Sequence, residues 1–242
     1  MLSRNEVKYI QSLYHKKNRN KEEVFIAEGV KIVSELITAG LKVQKVYGVK
    51  DWIDANANLP DTVEISEEEL KKISNLETPN KVLAIFYKKT ITQIPDLKNK
   101  ISLVLDGIQD PGNLGTIIRI ADWFGIENII ASDDTADLYN SKVIQSTMGS
   151  VARVNMYYTD LEDFFQSNTI AVMGAMLNGK NIDSFEKVNE CLLVIGNESR
   201  GIRTDIEPYI QQRISIPKIG QAESLNAAVA TGIILSWLKL KI

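Results

Sequence analysis

Three short segments of this 242-residue chain hold the side chains whose types and spacing could do chemistry. The first, Asp106 to Gly125 (DGIQDPGNLGTIIRIADWFG), carries the amide of Asn113 and the guanidinium of Arg119. Pro111 and Gly112 suit a turn, Asn113 suits a helix N-cap, and Leu114, Ile117, Ile118, Ala121 and Phe124 fall on one apolar stripe. Arg119 then lies on the outer face with Trp123, where it is either a solvated helix arginine or a group offered to a ligand. The second segment, Ile195 to Gly201 (IGNESRG), sets Glu198 between two glycines, so a tight turn could bring backbone close to a planar ligand. The third runs from Ile216 to Gly220 (IPKIG) and on to Ser224, Leu225 and Asn226 at the start of the last helix. Unpaired N–H groups at a helix start suit an anionic or polar ligand, and Ser224 fits equally as a simple cap.

Other chemistries lack their residues. Gly107, Gly112 and Gly115 have the wrong spacing for a dinucleotide fingerprint, and the chain has neither a P-loop nor a G-x-S-x-G elbow. The single cysteine, Cys191, lies in an apolar run and reads as core, and the single histidine, His15, sits in a basic stretch remote from the three segments. One cysteine and one histidine supply neither a disulfide nor a zinc ligand set, so no metal is expected and a reducing, cytoplasmic location is.

These segments need elements to hold them, and periodicity separates two halves. Residues 1–88 alternate helix and strand as a compact α/β unit, with strands at Val24–Ala27, Val43–Gly48, near Val63 and Val82–Tyr87, and a capping box at Ser66 and Glu69. Residues 89–100 are polar, include Pro95, and read as a linker. From 101 to 242, short apolar strands alternate with helices, which predicts a mostly parallel sheet covered on both faces, with ligands at the carboxyl ends of its strands. A helix is expected after Thr204 and a last helix from Glu223 or Ser224. Ala227 to Leu238 is apolar or small on nearly every side, but its twelve residues fall short of the roughly 20 that cross a bilayer, so no membrane partner is expected. A helix of that composition must be buried all round, which points to a second subunit.

Charge is polarised. The chain carries −3 overall, whereas its first fifty residues hold ten Lys/Arg against five Glu. Lys16, Lys17, Arg19 and Lys21 crowd one polar stretch, readable as a solvated loop or as an arm that contacts phosphates.

The ordered set DPGNLGTIIRIADWFG, IGNESRG and ISIPKIGQAESLNAAVATGI resembles the three signature motifs of the SpoU-type (TrmH-like) RNA 2′-O-ribose methyltransferases of the SPOUT superfamily. Thr116 stands where that family more often has alanine. The run VFIAEGVKIVSELITAG is similar to the small ribosomal-protein-like RNA-binding domain that precedes the catalytic domain in many members. The resemblance implies a deep C-terminal trefoil knot, a homodimer, and S-adenosylmethionine as cofactor, bound by backbone at Gly196, Ile216 and Leu225. It places Asn113, Arg119, Glu198, Ser224 and Asn226 in the active site, with Arg119 as base or, preferably, as clamp for an RNA phosphate, because a guanidinium does not readily deprotonate. Ribosomal RNA is favoured over transfer RNA as substrate. The rival reading is a non-catalytic RNA-binding or ribosome-assembly factor on the same fold, against which the joint presence of Asn113, Arg119, Glu198 and Asn226 weighs.

Overall fold

The computed structural model describes residues 1–91, 93–186 and 188–240, and the chain divides into two compact units. One comprises Met1–Thr90 with Asp137–Ala152, the other Ile91–Ala136 with Arg153–Ile242. Thr92 of the expected linker, and Lys187, Lys241 and Ile242 of the second half, lie outside the described residues.

The first unit is built on a four-stranded sheet of β1 (Val24–Glu28), β2 (Val43–Gly48), β3 (Thr62–Glu64) and β4 (Val82–Tyr87), in the order β1-β4-β2-β3. The near-continuous apolar runs of β1 and β4 are buried and pair antiparallel, because a strand covered on both faces has no use for alternation. Around the sheet run α1 (Arg4–Ser12), α2 (Lys16–Glu22), α3 (Val30–Thr38), α4 (Lys50–Ala55) and α5 (Glu67–Ile73). The capping box at Ser66 and Glu69 starts α5 as expected, and Ser3 with Glu6 makes a second one at α1.

The basic stretch after α1 is not the loop expected. It forms the helix α2, and Arg19 is turned inward to 3% exposure. Its Nη1 donates to the carbonyls of Leu13 and Tyr14 at 3.0 and 2.8 Å, closing off the end of α1, and its Nη2 pairs with Asp137 at 2.5 Å. A cation at a helix C-terminus meets the negative end of the dipole and satisfies carbonyls the helix cannot. Arg19 is therefore removed from the set that could touch RNA, while Lys16 and Lys17 stay exposed.

The second unit runs through β5 (Ile101–Asp106), α6 (Pro111–Trp123) and β6 (Asn128–Ala131). After α7 (Ser141–Thr147), which belongs to the first unit, it resumes with β7 (Asn155–Tyr158), α8 (Leu161–Gln166), β8 (Val172–Asn181), β9 (Cys191–Gly196), β10 (Gln212–Ser215) and α9 (Ala227–Lys239). The six strands form a sheet in the order β10-β8-β9-β5-β6-β7 with every pairing parallel, as the alternation of strand and helix predicts. Val104, Ile130, Leu192 and Val194 meet Leu161 and Phe165 of α8 in one core layer. α6 buries Leu114, Ile117, Ile118 and Ala121 and packs against α9. Thr116, on the exposed side of α6, returns its hydroxyl to the carbonyl of Gly112 at 2.8 Å. Among the described residues no helix is long and apolar enough to cross a bilayer.

Three helix starts differ from expectation. Asp110, not Asn113, caps α6, with Pro111 in its first turn, where a missing N–H costs nothing. Asn226, not Ser224, caps α9 by accepting from Ala228 and Val229. The stretch after Thr204 makes only a single turn at Glu207–Tyr209, with Pro208 inside it.

The segment Asp137–Ala152 packs as part of the first unit: α7 lies against β1, the Tyr139 ring packs tilted by 33° on Phe25 with centroids 4.8 Å apart, and Gln145 donates to the Glu28 carbonyl at 2.9 Å. Replacing Arg19 by alanine leaves Asp137 without its cation and the carbonyls of Leu13 and Tyr14, just past α1, without this donor. Chemical denaturation should show a loss of about 3 kcal/mol for Arg19→Ala and a change within about 0.5 kcal/mol for the exposed Lys17→Ala. Equal, small effects would contradict the buried-clamp role.

Candidate active site

The strand order reverses between β5 and β9: from β5 the chain moves outward to β6 and β7, then returns to the other side, and β9 inserts beside β5. At such a switch point the carboxyl ends of neighbouring strands open a crevice. Here Asp106 and Gly196 are register partners at that end.

Two short connections start there. The one after β9 folds back on itself, with Asn197 and Gly201 exchanging both backbone hydrogen bonds at 2.9 Å. A Cβ on Gly196 would stand 2.3 Å from Gly201 C and Ile202 N. Glycine is thus required at 196 by the turn's own backbone. The turn throws Glu198 toward the start of α6, where its Oε1 accepts from the Asn113 side chain at 3.0 Å and from Asp110 N at 3.3 Å, and its Oε2 accepts from Gln109 N at 3.4 Å. A carboxylate is favoured at that position because helix starts present unpaired N–H groups. Asn113 is free to face it since Asp110 does the capping. Its Oδ1 accepts from Asn226 Nδ2 at 2.7 Å, which draws the start of α9 into the same cluster.

The structure therefore brings Asn113, Glu198 and Asn226 together. Arg119 is not among them: it stands six positions after Asn113, hence about 9 Å further along α6 and about 120° round it. It is exposed and pairs with no described residue. Ser224 and Leu225 are exposed, Ile216 is half-buried, and no hydrogen bond joins any of the three to the cluster. Lys16 and Lys17 belong to the first unit.

Two residues of the site escaped the sequence reading. Asp106 ends β5 fully buried; its Oδ2 accepts from Arg203 N at 2.7 Å and its Oδ1 lies 2.6 Å from Arg203 Nε. Burial raises the Asp106 carboxyl above the usual aspartate range, and the two Arg203 donors oppose the rise. Its signal was a charge closing an otherwise apolar strand. Asn197 donates from Nδ2 to the Gly107 carbonyl at 2.6 Å and accepts from Ser199 N and Arg200 N at 2.9 and 3.1 Å. An asparagine beside glycine is the sequence mark of such a turn. Cys191, by contrast, is core, its thiol pushed up to about 12 chiefly by burial, so it offers no thiolate. Among the described residues no three His, Cys, Asp or Glu side chains converge as a metal-ligand set.

The third segment offers backbone polar groups and apolar side chains to a ligand. Residues 218–225 are exposed and make no backbone hydrogen bond to a described residue, so their N–H and C=O groups remain available, and Ile219 and Leu225 expose apolar side chains beside them.

Residues 100–236 match the SpoU rRNA Methylase family, and residues 4–84 match the MRM3-like substrate binding domain. The chain is 30% identical to the 23S rRNA (guanosine(2553)-2′-O)-methyltransferase RlmP of Bacillus subtilis, over 97% of this chain and 96% of that protein. Among solved structures, a protein of the TrmH family from Porphyromonas gingivalis is similar at TM-score 0.88 and 35% identity, covering 99% of this chain and 98% of that one. An AdoMet-bound rRNA methyltransferase from Sinorhizobium meliloti is similar at TM-score 0.86 and 30% identity, covering 98% and 95%. The switch-point cluster, the turn that carries Glu198 and the exposed third segment thus lie within the matched region, and the chain belongs to the SpoU rRNA methylase family.

Proposed function

We propose that the protein transfers the methyl group of S-adenosylmethionine to a ribose 2′-hydroxyl of ribosomal RNA. The observation that carries this reading is the hydrogen-bonded trio Asn113, Glu198 and Asn226 at the strand switch point of a chain that belongs to this family. When bound, S-adenosylmethionine supplies a methyl group already activated on a sulfonium. What is left to the protein is to hold the hydroxyl in line with that methyl and to remove its proton.

The trio suits the first task. Its amides and carboxylate bind one another within a folded frame, so they are oriented before a ribose arrives and need little reorganisation. Arg119 suits the clamp role: exposed and unpaired, its guanidinium is free to take a phosphate of the RNA in a bidentate grip. The backbone of Gly196, Ile216 and Leu225 would hold the cofactor, with Ser224 beside it. The full-length similarity to a 23S rRNA enzyme and the match of residues 4–84 to a substrate-binding domain favour ribosomal over transfer RNA, and with it a cytoplasmic site of action.

A homodimer and the C-terminal trefoil knot are parts of the same reading. The knot is supported by the family match across residues 100–236. The dimer is supported by an apolar face without cover. Val229 and Ile233, one turn apart on α9, are 51% and 40% exposed, and Trp123 on α6, which packs against α9, is 84% exposed. Arg119 shares the outer side of α6 with Trp123, away from its own trio, so a second copy on this face would meet it.

Labelled S-adenosylmethionine with unmodified ribosomal RNA should give acid-insoluble counts that map to a single 2′-O-methyl nucleotide. Arg119→Ala should lower the transfer rate by on the order of 10² to 10³, with cofactor affinity by calorimetry held within about threefold because the proposed contact is to RNA. Joint loss of both would assign Arg119 to the frame instead. Light scattering should return twice the chain mass, and Ile233→Asp should return the single mass; a monomeric parent protein would contradict the dimer. Lys16→Ala with Lys17→Ala should reduce the slope of log affinity for RNA against log salt by about 1 to 2, and an unchanged slope would leave α2 as a solvated helix.

A further inference from the structure

We propose that Asn197 is a positioning residue for this reaction: the hydrogen bond from its Nδ2 to the Gly107 carbonyl aims Glu198 at Asn113. The inference rests on the function proposed above but concerns a side chain that neither of the two catalytic tasks needs directly.

The geometry leads to it in two steps. The turn after β9 has to place one carboxylate within reach of three donors, Gln109 N, Asp110 N and Asn113 Nδ2, all carried by the segment that follows β5. The two segments must therefore keep a fixed offset, and the backbone pairing of β5 with β9 ends one residue too early to impose it, at Asp106 and Gly196. Asn197 supplies the next tie. Its Nδ2 reaches Gly107, the first residue beyond β5, at 2.6 Å, while its Oδ1 accepts from Ser199 N and Arg200 N and so shapes the turn on which Glu198 rides. Gly107 meets it in a positive-φ conformation, +72°, that L side chains rarely adopt. The far end of the turn is held separately, by Arg203 on the buried carboxylate of Asp106. Loss of the Asn197 side chain thus leaves the connection anchored and the protein folded, with only the offset of Glu198 released. No other side-chain hydrogen bond links residues 197–201 to Gly107 among the described residues.

Two variants and a double-mutant cycle test this. Asn197→Ala removes both halves of the tie; Asn197→Asp keeps the acceptor for Ser199 N and Arg200 N and replaces the donor to Gly107 with a carboxylate oxygen that its carbonyl repels. With unmodified ribosomal RNA as substrate, both should lower kcat by on the order of 10²-fold, since a displacement of about 1 Å suffices for that. Affinity for S-adenosylmethionine should stay within about threefold, because Ile216 and Leu225 lie outside the 197–201 turn and Gly196 stays paired with Asp106 in the sheet. In a Glu198→Ala background the same Asn197→Ala change should lower kcat by less than about twofold, as expected of a group that acts only through the missing carboxylate. Amide hydrogen exchange should show protection lost at Ser199 and Arg200 in Asn197→Ala and retained in Asn197→Asp. Undiminished kcat in Asn197→Asp, equal losses in the two Glu198 backgrounds, or cofactor affinity falling in step with kcat would overturn the proposal. A parent protein that binds the cofactor and transfers no methyl contradicts the proposed function instead. In that case unchanged exchange at Ser199 and Arg200 in Asn197→Ala decides against the tie.

Discussion

The pairing of β5 with β9 is the constraint on which the rest of the site depends. These strands are remote in sequence and adjacent in space, joined in register from Ile101 opposite Cys191 to Asp106 opposite Gly196. Both are almost wholly buried, so the register is set by packing on two faces and a slip would expose a core strand to solvent. Everything chemical hangs from where this ladder stops. The chain after β5 turns into the capped start of α6, and the chain after β9 turns back to give that start its carboxylate. A site on strand ends inherits the rigidity of the sheet, which a site on a long loop would lack.

Polar satisfaction does the remaining alignment. Glu198 takes up helix-start N–H groups that would otherwise need water, Asn113 spends its amide on Glu198 and its carbonyl on Asn226, and Asn226 in turn caps α9. Each group is therefore both a structural partner and a group presented to a ligand. Such a network tends to behave as a unit, since removing one member leaves another without its bond.

Much of this could be read from residue types. Strands Val43–Gly48 and Val82–Tyr87 appear at the bounds read from the sequence, and the parallel sheet follows from the alternation of elements. Asn113, Glu198 and Asn226 were named because three motifs in order resemble those of one family. What stayed hidden has a common cause: neighbouring residues of equal local merit, decided by distant partners. Asp110 and Asn113 are both good caps, and only Pro111, which prefers the first helical turn, distinguished them. Ser224 and Asn226 pose the same ambiguity. Arg19 looked like its lysine neighbours because nothing local told of Asp137, 118 positions away. At Gly196 the sequence does not show that the missing side chain also makes room for the chain's own return at Gly201 and Ile202.

The placement of Asp137–Ala152 in the first unit bears on how the chain acquires its structure during synthesis. That unit is not finished when its first ninety residues have left the ribosome; it lacks α7, the aromatic ring that covers Phe25 and the carboxylate that neutralises Arg19. Those arrive only after β5, α6 and β6 have emerged. The amino-terminal half must wait, with one face of β1 still open and a buried arginine still unpaired, until part of the other half has been made. Domains usually fold as units in the order of their synthesis, and this one is obliged to finish late.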